Sequence, residues 1–130
     1  QKFSIVRALV RQLCFPIEII GVATLREPGG LAMSSRNRRL NAEERLLALD
    51  LIKSLQWARK RLLAGLHPNE VKAMIDEFFR TQSKIQLEYF EIVETDSLVP
   101  VDNVNPPEEV SLCIAGYLGN VRLIDNLSLN

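Results

Sequence analysis

Apolar side chains recur at helical spacing in the first part of the chain. Positions 3, 6, 9, 10 and 13 are apolar, and arginines occupy positions 7 and 11. This pattern predicts an amphipathic helix over residues 3–13, which Pro16 ends. Residues 17–22, rich in β-branched side chains, then predict a short strand. A helix followed directly by such a strand is typical of a parallel α/β sheet, and we expect the other strands of that sheet to lie in a longer parent protein.

The rest of the chain has a different order of elements. Asn41 and Glu44 predict a helix start, leucines continue the helix at helical spacing, and Gly65 ends it. Pro68 begins a second helix with apolar positions 71, 75, 78 and 79. Strands are predicted over 87–94, 110–118 and 121–124, with a Pro/Asn-rich connection at 102–109 and a two-residue turn at 119–120.

These elements predict an α+β fold. Two helices would pack on a small, mostly antiparallel three-stranded sheet, preceded by the helix–strand unit. We therefore divide the chain into residues 1–25, the remnant of a preceding domain, and residues 26–130, a C-terminal domain.

Composition removes several classes of function. The chain has 130 residues, with 16 Lys and Arg balanced by 16 Asp and Glu, so the basic excess of a nucleic-acid binder is missing. No apolar run reaches the length of a membrane span, and no signal peptide is recognisable. Cys14 and Cys113 lie in apolar runs without metal-ligand spacing. We expect two buried thiols, a cytoplasmic protein and no metal site.

The chemically informative segment is the loop from Arg26 to Arg39. It contains two glycines, the hydroxyls of Ser34 and Ser35, and arginines at positions 36, 38 and 39. Close backbone approach, hydroxyl donors and a guanidinium together suit an anion such as phosphate. The same composition is also typical of a solvated connection between two domains. The loop chemistry alone leaves both interpretations open, and we assign Arg38 and Arg39 to the surface.

Four separated segments resemble one known family. They are Gly-Val-Ala-Thr-Leu-Arg-Glu at 21–27, Gly-Leu-Ala-Met-Ser-Ser-Arg-Asn-Arg-Arg-Leu at 30–40, Glu-Tyr-Phe-Glu-Ile-Val at 88–93, and Gly-Asn-Val-Arg-Leu-Ile-Asp-Asn at 119–126. They are similar, in this order, to the signature segments of the pantothenate synthetase (pantoate–β-alanine ligase) family. In that family the second segment corresponds to the KMSKS loop of class I aminoacyl-tRNA synthetases and related nucleotidyltransferases.

The resemblance implies an ATP-dependent ligase. The family joins pantoate to β-alanine through a pantoyl adenylate and releases AMP and pyrophosphate. Met33, Ser34, Ser35 and Arg36 would close over ATP as a lid. The two serines would donate hydrogen bonds to the phosphates, and Arg36 would neutralise charge on the departing pyrophosphate.

Further roles follow from the same resemblance. The backbone of Leu25 would contact adenine, and Val22 would line the adenine pocket. Lys2 occupies a position where the family has a glutamine that contacts pantoate, and a lysine there could meet the pantoate carboxylate. The resemblance also implies that residues 1–25 are the end of a Rossmann-like, ATP-binding nucleotidyltransferase domain, and that Mg²⁺ is held mainly by the nucleotide and by the missing part of that domain. Arg122 and Asp125 are candidates for a structural pair in the closing segment, and we assign neither of them any chemistry.

Departures from the family pattern keep alternatives open. Lys2, Ala23 and Gly29 differ from the family's residues, and its HIGH-type and GQKD-type motifs are missing from this chain. We therefore expect the isolated chain to be inactive, and the segment 1–25 could self-associate through an exposed apolar face. One alternative is a binding or regulatory module that kept the fold without the chemistry. Another is a different adenylyl-transferring nucleotidyltransferase, against which the closing segment argues.

Overall fold

A computed structural model describes residues 2–104 and 109–130. The first element, α1, spans Lys2–Gln12, which confirms the helix predicted over 3–13. Residues 17–22 form no strand, so that prediction is wrong. No other strand lies beside this segment in the described chain, and an extended segment needs a neighbour to complete its hydrogen bonds.

The long helix predicted from Asn41 forms as two pieces, α2 (Ala42–Ala48) and α3 (Asp50–Leu63). Asn41 caps α2, because its side chain accepts the Glu44 N–H at 2.8 Å while the Glu44 carboxylate accepts the Asn41 N–H at 2.9 Å. This capping box confirms the predicted start. The break falls at Leu49, whose N–H bonds to Leu46 O at 3.2 Å in a tighter turn.

The second predicted helix is α4, Pro68–Thr81. Before it, His67 lies at the N-cap and its Nδ1 accepts the Asn69 N–H at 3.2 Å. The cap satisfies a backbone donor that the first helical turn would otherwise leave unpaired.

The sheet contains β1 (Gln86–Glu94), β2 (Val110–Leu118) and β3 (Val121–Ser128) in the order β1-β2-β3, with both pairings antiparallel. Gly119 forms the β2–β3 turn with φ of +56°, a value that glycine adopts readily. Strand β3 extends four residues beyond its predicted end at Ile124, to Ser128. Part of the predicted connection at 102–109 lies outside the described residues.

Helices α3 and α4 pack on the sheet, so the fold of residues 26–130 is the predicted α+β arrangement. The core contains Leu51 and Leu55 of α3, Ile75 of α4, and Leu112 and Ile114 of β2, all at most 2% exposed. Cys113 is partly buried, but Cys14 is exposed, so the prediction of two buried thiols is wrong for Cys14. No helix in the described part of the chain has the length and hydropathy needed to cross a membrane.

Candidate functional site

A short hairpin leads into the loop that carries the residues predicted to bind phosphate. Arg26 and Ala32 form an antiparallel bridge, with hydrogen bonds from Glu27 N–H to Leu31 O and from Met33 N–H to Leu25 O at 2.8 and 2.9 Å. Gly30 lies in the turn with φ of +96°, a conformation strained for other residues. The hairpin brings Leu25 next to Met33 at the start of the candidate loop.

Ser34 begins the turn of 3₁₀-helix that follows, Ser35–Arg39. Its Oγ accepts the Arg36 N–H at 3.2 Å, and its carbonyl accepts the Asn37 N–H at 3.1 Å. Met33, Ser34, Ser35 and Arg36 are all exposed. The Arg36 guanidinium makes no ion pair or hydrogen bond with any described residue, and neither hydroxyl of the two serines donates to one. These groups are therefore available to a ligand.

Asn37 connects this exposed loop to the interior. It is 2% exposed, and its Nδ2 donates to Glu27 Oε1 and to Ala32 O, both at 2.9 Å. Arg45 of α2 donates to Glu27 Oε2 at 2.6 Å and to Asn37 O at 2.8 Å. The hairpin, the 3₁₀ turn and α2 are thus joined by one set of hydrogen bonds, which we call the Glu27–Asn37–Arg45 network.

The network stabilises the ionised form of Glu27. The hydrogen bond from Asn37 lowers the pKa of this carboxyl below its ordinary value of 4.5, and the Arg45 guanidinium lowers it further, while burial opposes them. Hydrogen bonds and a neighbouring cation both favour a carboxylate over a carboxylic acid. Glu27 therefore stays charged at neutral pH and keeps both oxygens available as acceptors.

A second attachment joins the hairpin to the sheet. Arg26 donates from its two terminal nitrogens to the two carboxylate oxygens of Asp125 in β3, at 2.7 and 3.0 Å. The Asp125 side chain is 3% exposed and that of Arg26 is 23% exposed. Removing one member of such a buried pair leaves the other charge uncompensated, at a cost of about 3–5 kcal/mol. The ion pair therefore fixes the hairpin on β3.

This pairing corrects one expectation. Arg122 and Asp125 do not pair with each other. Arg122 binds Glu88 of β1 instead, with Nε 2.7 Å from Oε2, and that hydrogen bond raises the pKa of the guanidinium. The two residues lie three apart on β3, so their side chains point to opposite faces of the sheet.

A concave surface of about 120 Å³ adjoins the candidate loop. Its walls include Ser34, Arg36 and Asn37 from the loop and Arg122 and Asp125 from β3. A larger depression of about 460 Å³ between α3 and α4 contains none of the predicted site residues. We place the candidate site at the smaller one, because exposed donors and an unpaired cation meet there. Within the described residues, no cluster of His, Cys, Asp and Glu is suited to hold a metal ion.

The structure brings some of the predicted residues together and leaves others apart. Leu25 lies beside Met33, because its carbonyl accepts the Met33 N–H, and residues 33–36 follow along the exposed loop. An adenine contact through that carbonyl would have to use its second lone pair. Val22 is 90% exposed, and Lys2 lies on α1. No hydrogen bond or ion pair joins Val22 or Lys2 to the loop among the described residues.

Comparison with known proteins decides the family. The family model described as pantoate-beta-alanine ligase matches residues 1–128. The chain belongs to the pantoate–β-alanine ligase family. A pantothenate synthetase of Bacteroides fragilis is 42% identical over 128 residues, which cover 98% of this chain and 45% of the relative. A pantoate–β-alanine ligase of Oryza sativa is 42% identical over 132 residues, covering all of this chain and 41% of the relative.

Solved structures of the family have the same fold. The pantothenate synthetase of Thermus thermophilus superposes with a TM-score of 0.86 at 35% identity, over 98% of this chain and 45% of that one. The pantoate–β-alanine ligase of Francisella tularensis, solved with beta-gamma ATP and β-alanine, gives a TM-score of 0.55 at 26% identity, over 95% of this chain and 38% of that one. This chain thus spans less than half the length of the relatives that it matches.

Sequence reasoning missed the residues that hold the candidate loop. Arg26, Glu27 and Asn37 lie in segments that resemble the family, but no partner was predicted for them. Asp125 was paired with the wrong arginine, and Arg45 was not singled out. A usable signal was present, because Arg26 and Asp125 are opposite charges in two separate signature segments. Such charges are candidates for one ion pair when both segments flank a common site.

Proposed function

We propose that this chain supplies the phosphate-contacting loop of an ATP-dependent ligase that joins pantoate and β-alanine. The observation that carries the proposal is the geometry of residues 33–36. The hydroxyls of Ser34 and Ser35 and the Arg36 guanidinium donate to no described residue and lie exposed, on a loop that buried hydrogen bonds hold in place. Membership of the pantoate–β-alanine ligase family supports the reaction class.

The proposed reaction has two steps. A pantoate carboxylate oxygen attacks the α-phosphorus of ATP, and pyrophosphate leaves, giving pantoyl adenylate. The β-alanine amine then attacks the acyl carbon, loses a proton and displaces AMP, giving pantothenate. The Francisella tularensis ligase was solved as a complex with beta-gamma ATP and β-alanine, which is consistent with these ligands.

Each residue of the loop has a role in the first step. Ser34 and Ser35 donate hydroxyl or backbone hydrogens to phosphate oxygens, and Met33 covers the nucleotide. Arg36 places positive charge beside the oxygens that become more negative as pyrophosphate departs. An electrostatic contact of this kind lowers the barrier because it is stronger in the transition state than in the ground state. Mg²⁺ would be held mainly by the nucleotide and by protein outside this chain.

The remaining assignments extend this proposal to the rest of the chain. Residues 26–130 form the domain that closes over ATP as a lid, and residues 1–25 belong to a Rossmann-like ATP-binding domain. The Leu25 backbone and the Val22 side chain face adenine, and Lys2 meets the pantoate carboxylate. The pathway chemistry suits the cytoplasm, where ATP is abundant.

The isolated chain of 130 residues should be inactive. Its relatives are more than twice as long, and the part outside the match would have to hold ATP and pantoate in the reactive geometry. Correct proximity and orientation contribute on the order of 7–11 kcal/mol to such reactions. Release of AMP from Mg-ATP, pantoate and β-alanine by the isolated chain should be undetectable, and ordinary enzymatic turnover would refute this proposal.

The direct test uses the natural protein that carries residues 1–130. We expect pantoate-dependent exchange of pyrophosphate into ATP, and we expect Arg36→Ala to reduce it about 10²- to 10³-fold without lowering the melting temperature. Arg38→Ala is the matched control, since Arg38 is also exposed on the same 3₁₀ turn. Full exchange by the Arg36→Ala variant would remove the phosphate role. Absence of exchange in the unmodified protein would favour a non-catalytic binding module.

A further inference from the structure

We propose that Asn37 is a positioning residue that fixes the loop 32–36 in its binding conformation before the nucleotide arrives. The proposal rests on the proposed function, because it concerns how Ser34, Ser35 and Arg36 are presented to phosphates. Asn37 does not contact the nucleotide in either step of the reaction. It acts through the loop backbone and through the Glu27–Asn37–Arg45 network.

The hydrogen bonds of Asn37 hold both ends of the segment that carries the donors. Its side-chain Nδ2 donates a hydrogen bond to Ala32 O at 2.9 Å, just before Met33 in the sequence. Its backbone N–H donates to Ser34 O at 3.1 Å. Its own carbonyl accepts the Leu40 N–H at 3.1 Å and an Arg45 nitrogen at 2.8 Å. One buried residue thus sets the path of the exposed residues on its N-terminal side.

Glu27 and Arg45 hold Asn37 in turn. The two carboxylate oxygens of Glu27 accept from Asn37 and from Arg45, at 2.9 and 2.6 Å. Arg45 lies on α2, so the loop is connected to a helix through charge-assisted hydrogen bonds, which are stronger than neutral ones. The orientation of the Asn37 amide is also fixed, because both acceptors require its nitrogen on their side.

One atom distinguishes this arrangement from simple stabilisation. Asn37 Oδ1 is buried and has no hydrogen-bond partner within the described structure, and Asn37 lines the concave surface of about 120 Å³ together with Ser34 and Arg36. A buried acceptor without a partner is costly. The Asn37 side chain thus lies between the buried network and the surface where Ser34 and Arg36 are exposed.

Loop order has a definite consequence for binding. A loop that already has its bound conformation loses little conformational entropy when the ligand arrives. Without the Asn37 side chain the loop would sample other conformations, and ATP binding would have to order it. Removal of the Asn37 side chain should therefore mainly raise KM for ATP, whereas removal of the Arg36 side chain should mainly lower the rate of adenylation.

The first measurement follows loop order without any ligand. Amide hydrogen exchange by NMR in the 130-residue chain should be at least about tenfold faster in Asn37→Ala than in the unmodified chain at the Asn37, Leu40 and Met33 amides. The Ile114 amide in β2 reports whether the fold is intact. Asn69→Ala, an exposed change on α4, is the control and should leave loop exchange unchanged. Unchanged loop exchange in Asn37→Ala, with the sheet intact, would overturn the proposal.

The second measurement follows function in the natural protein that carries this chain. Asn37→Ala should raise KM for ATP in pyrophosphate exchange about tenfold to a hundredfold, the effect expected when a buried hydrogen-bonding group is lost and its partners stay unpaired. Asn37→Asp should be as defective, because its carboxylate faces Glu27. Adding Glu27→Gln to Asn37→Asp restores a donor–acceptor pair and should recover part of the affinity.

The two proposals can fail separately. If Arg36→Ala is defective while Asn37→Ala keeps a normal KM for ATP, the positioning role is overturned and the proposed function stands. If Arg36→Ala has normal exchange activity, the proposed function fails and the positioning role fails with it.

Discussion

Residues 2–25 and residues 26–130 carry similar amphipathic patterns, but only the second region buries a core of apolar side chains. In α3, Leu55 is completely buried between α4 and the sheet, whereas Leu9 in α1 is 49% exposed. The first region also contains several of the exposed large apolar side chains: Phe3, Ile5, Val6, Leu13, Phe15, Ile17, Ile20 and Val22. Amphipathicity therefore predicts a helix without guaranteeing that its partner lies in the same chain.

The contacts that join the two regions are mostly polar. Ser4 Oγ donates to Thr95 O at 2.8 Å, and Arg7 and Arg11 pair with Asp96 at 3.2 and 3.4 Å. Partly exposed ion pairs of this kind contribute little to stability. Under the proposed function, the apolar face of residues 2–25 packs against the rest of the Rossmann-like ATP-binding domain.

The largest expected effect compares two leucines in the 130-residue chain. Leu55→Ala should lower the free energy of unfolding by about 2–5 kcal/mol, because it leaves a cavity in the core. Leu9→Ala should change it by less than about 0.5 kcal/mol, as surface substitutions do. Urea unfolding followed by circular dichroism measures both. A cost for Leu9→Ala close to that of Leu55→Ala would mean that α1 is packed in solution, contrary to the comparison.

Two glycines, one in each region, allow a second comparison with a smaller expected effect on stability. A Cβ on Gly116 in β2 would lie 2.6 Å from Ile85 Cγ2 and 3.0 Å from Gln86 O. Both neighbours are fixed by the core and the sheet, so Gly116→Ala should cost about 1–3 kcal/mol. The atoms nearest to a Cβ on Gly21 would be those of the Phe3 ring, at 2.8 Å, and this exposed ring can move. Equal melting temperatures for the two variants would contradict the account.

The smallest expected effect concerns pH. Because the pKa of Glu27 is lowered from 4.5, its stabilising contribution is fully present above that value and is lost as the pH falls through the folded-state pKa. In the Glu27→Gln variant, the free energy of unfolding should therefore fall less between neutral and acidic pH than in the unmodified chain. Glu18→Gln, an exposed change in residues 2–25, is the control. Urea unfolding at neutral pH and at about pH 3 measures the difference, and identical acid dependence in both variants would refute the role of Glu27.

The sequence predicted the elements whose partners lie within the chain. Local chemistry marks the start of α2 at Asn41 and Glu44, the start of α4 at Pro68, and the β2–β3 turn at Gly119. All three boundaries lie where they were predicted. The strand at 17–22 was wrong because strand formation depends on a neighbour that a local pattern does not specify. The break at Leu49 also escaped prediction, since the leucine pattern continues across it.

For the candidate site, local composition identified the exposed polar groups of the loop but not the groups that hold them in place. Ser34, Ser35 and Arg36 are adjacent, so one loop displays them whatever the fold. Arg26 pairs with Asp125, 99 positions away in the sequence. Arg45, on helix α2, binds Glu27 in the hairpin. Contacts at such separations depend on how hairpin, helix and sheet pack together, which one sequence read by pattern does not determine.

The central claim is that residues 34–36 contact the phosphates of ATP. The most direct measurement is an NMR titration of the natural protein that carries this chain with a non-hydrolysable Mg-ATP analogue. The amide resonances of Ser34, Ser35 and Arg36 should shift on binding. Saturation of the protein by the analogue without a shift of these three resonances would contradict the claim.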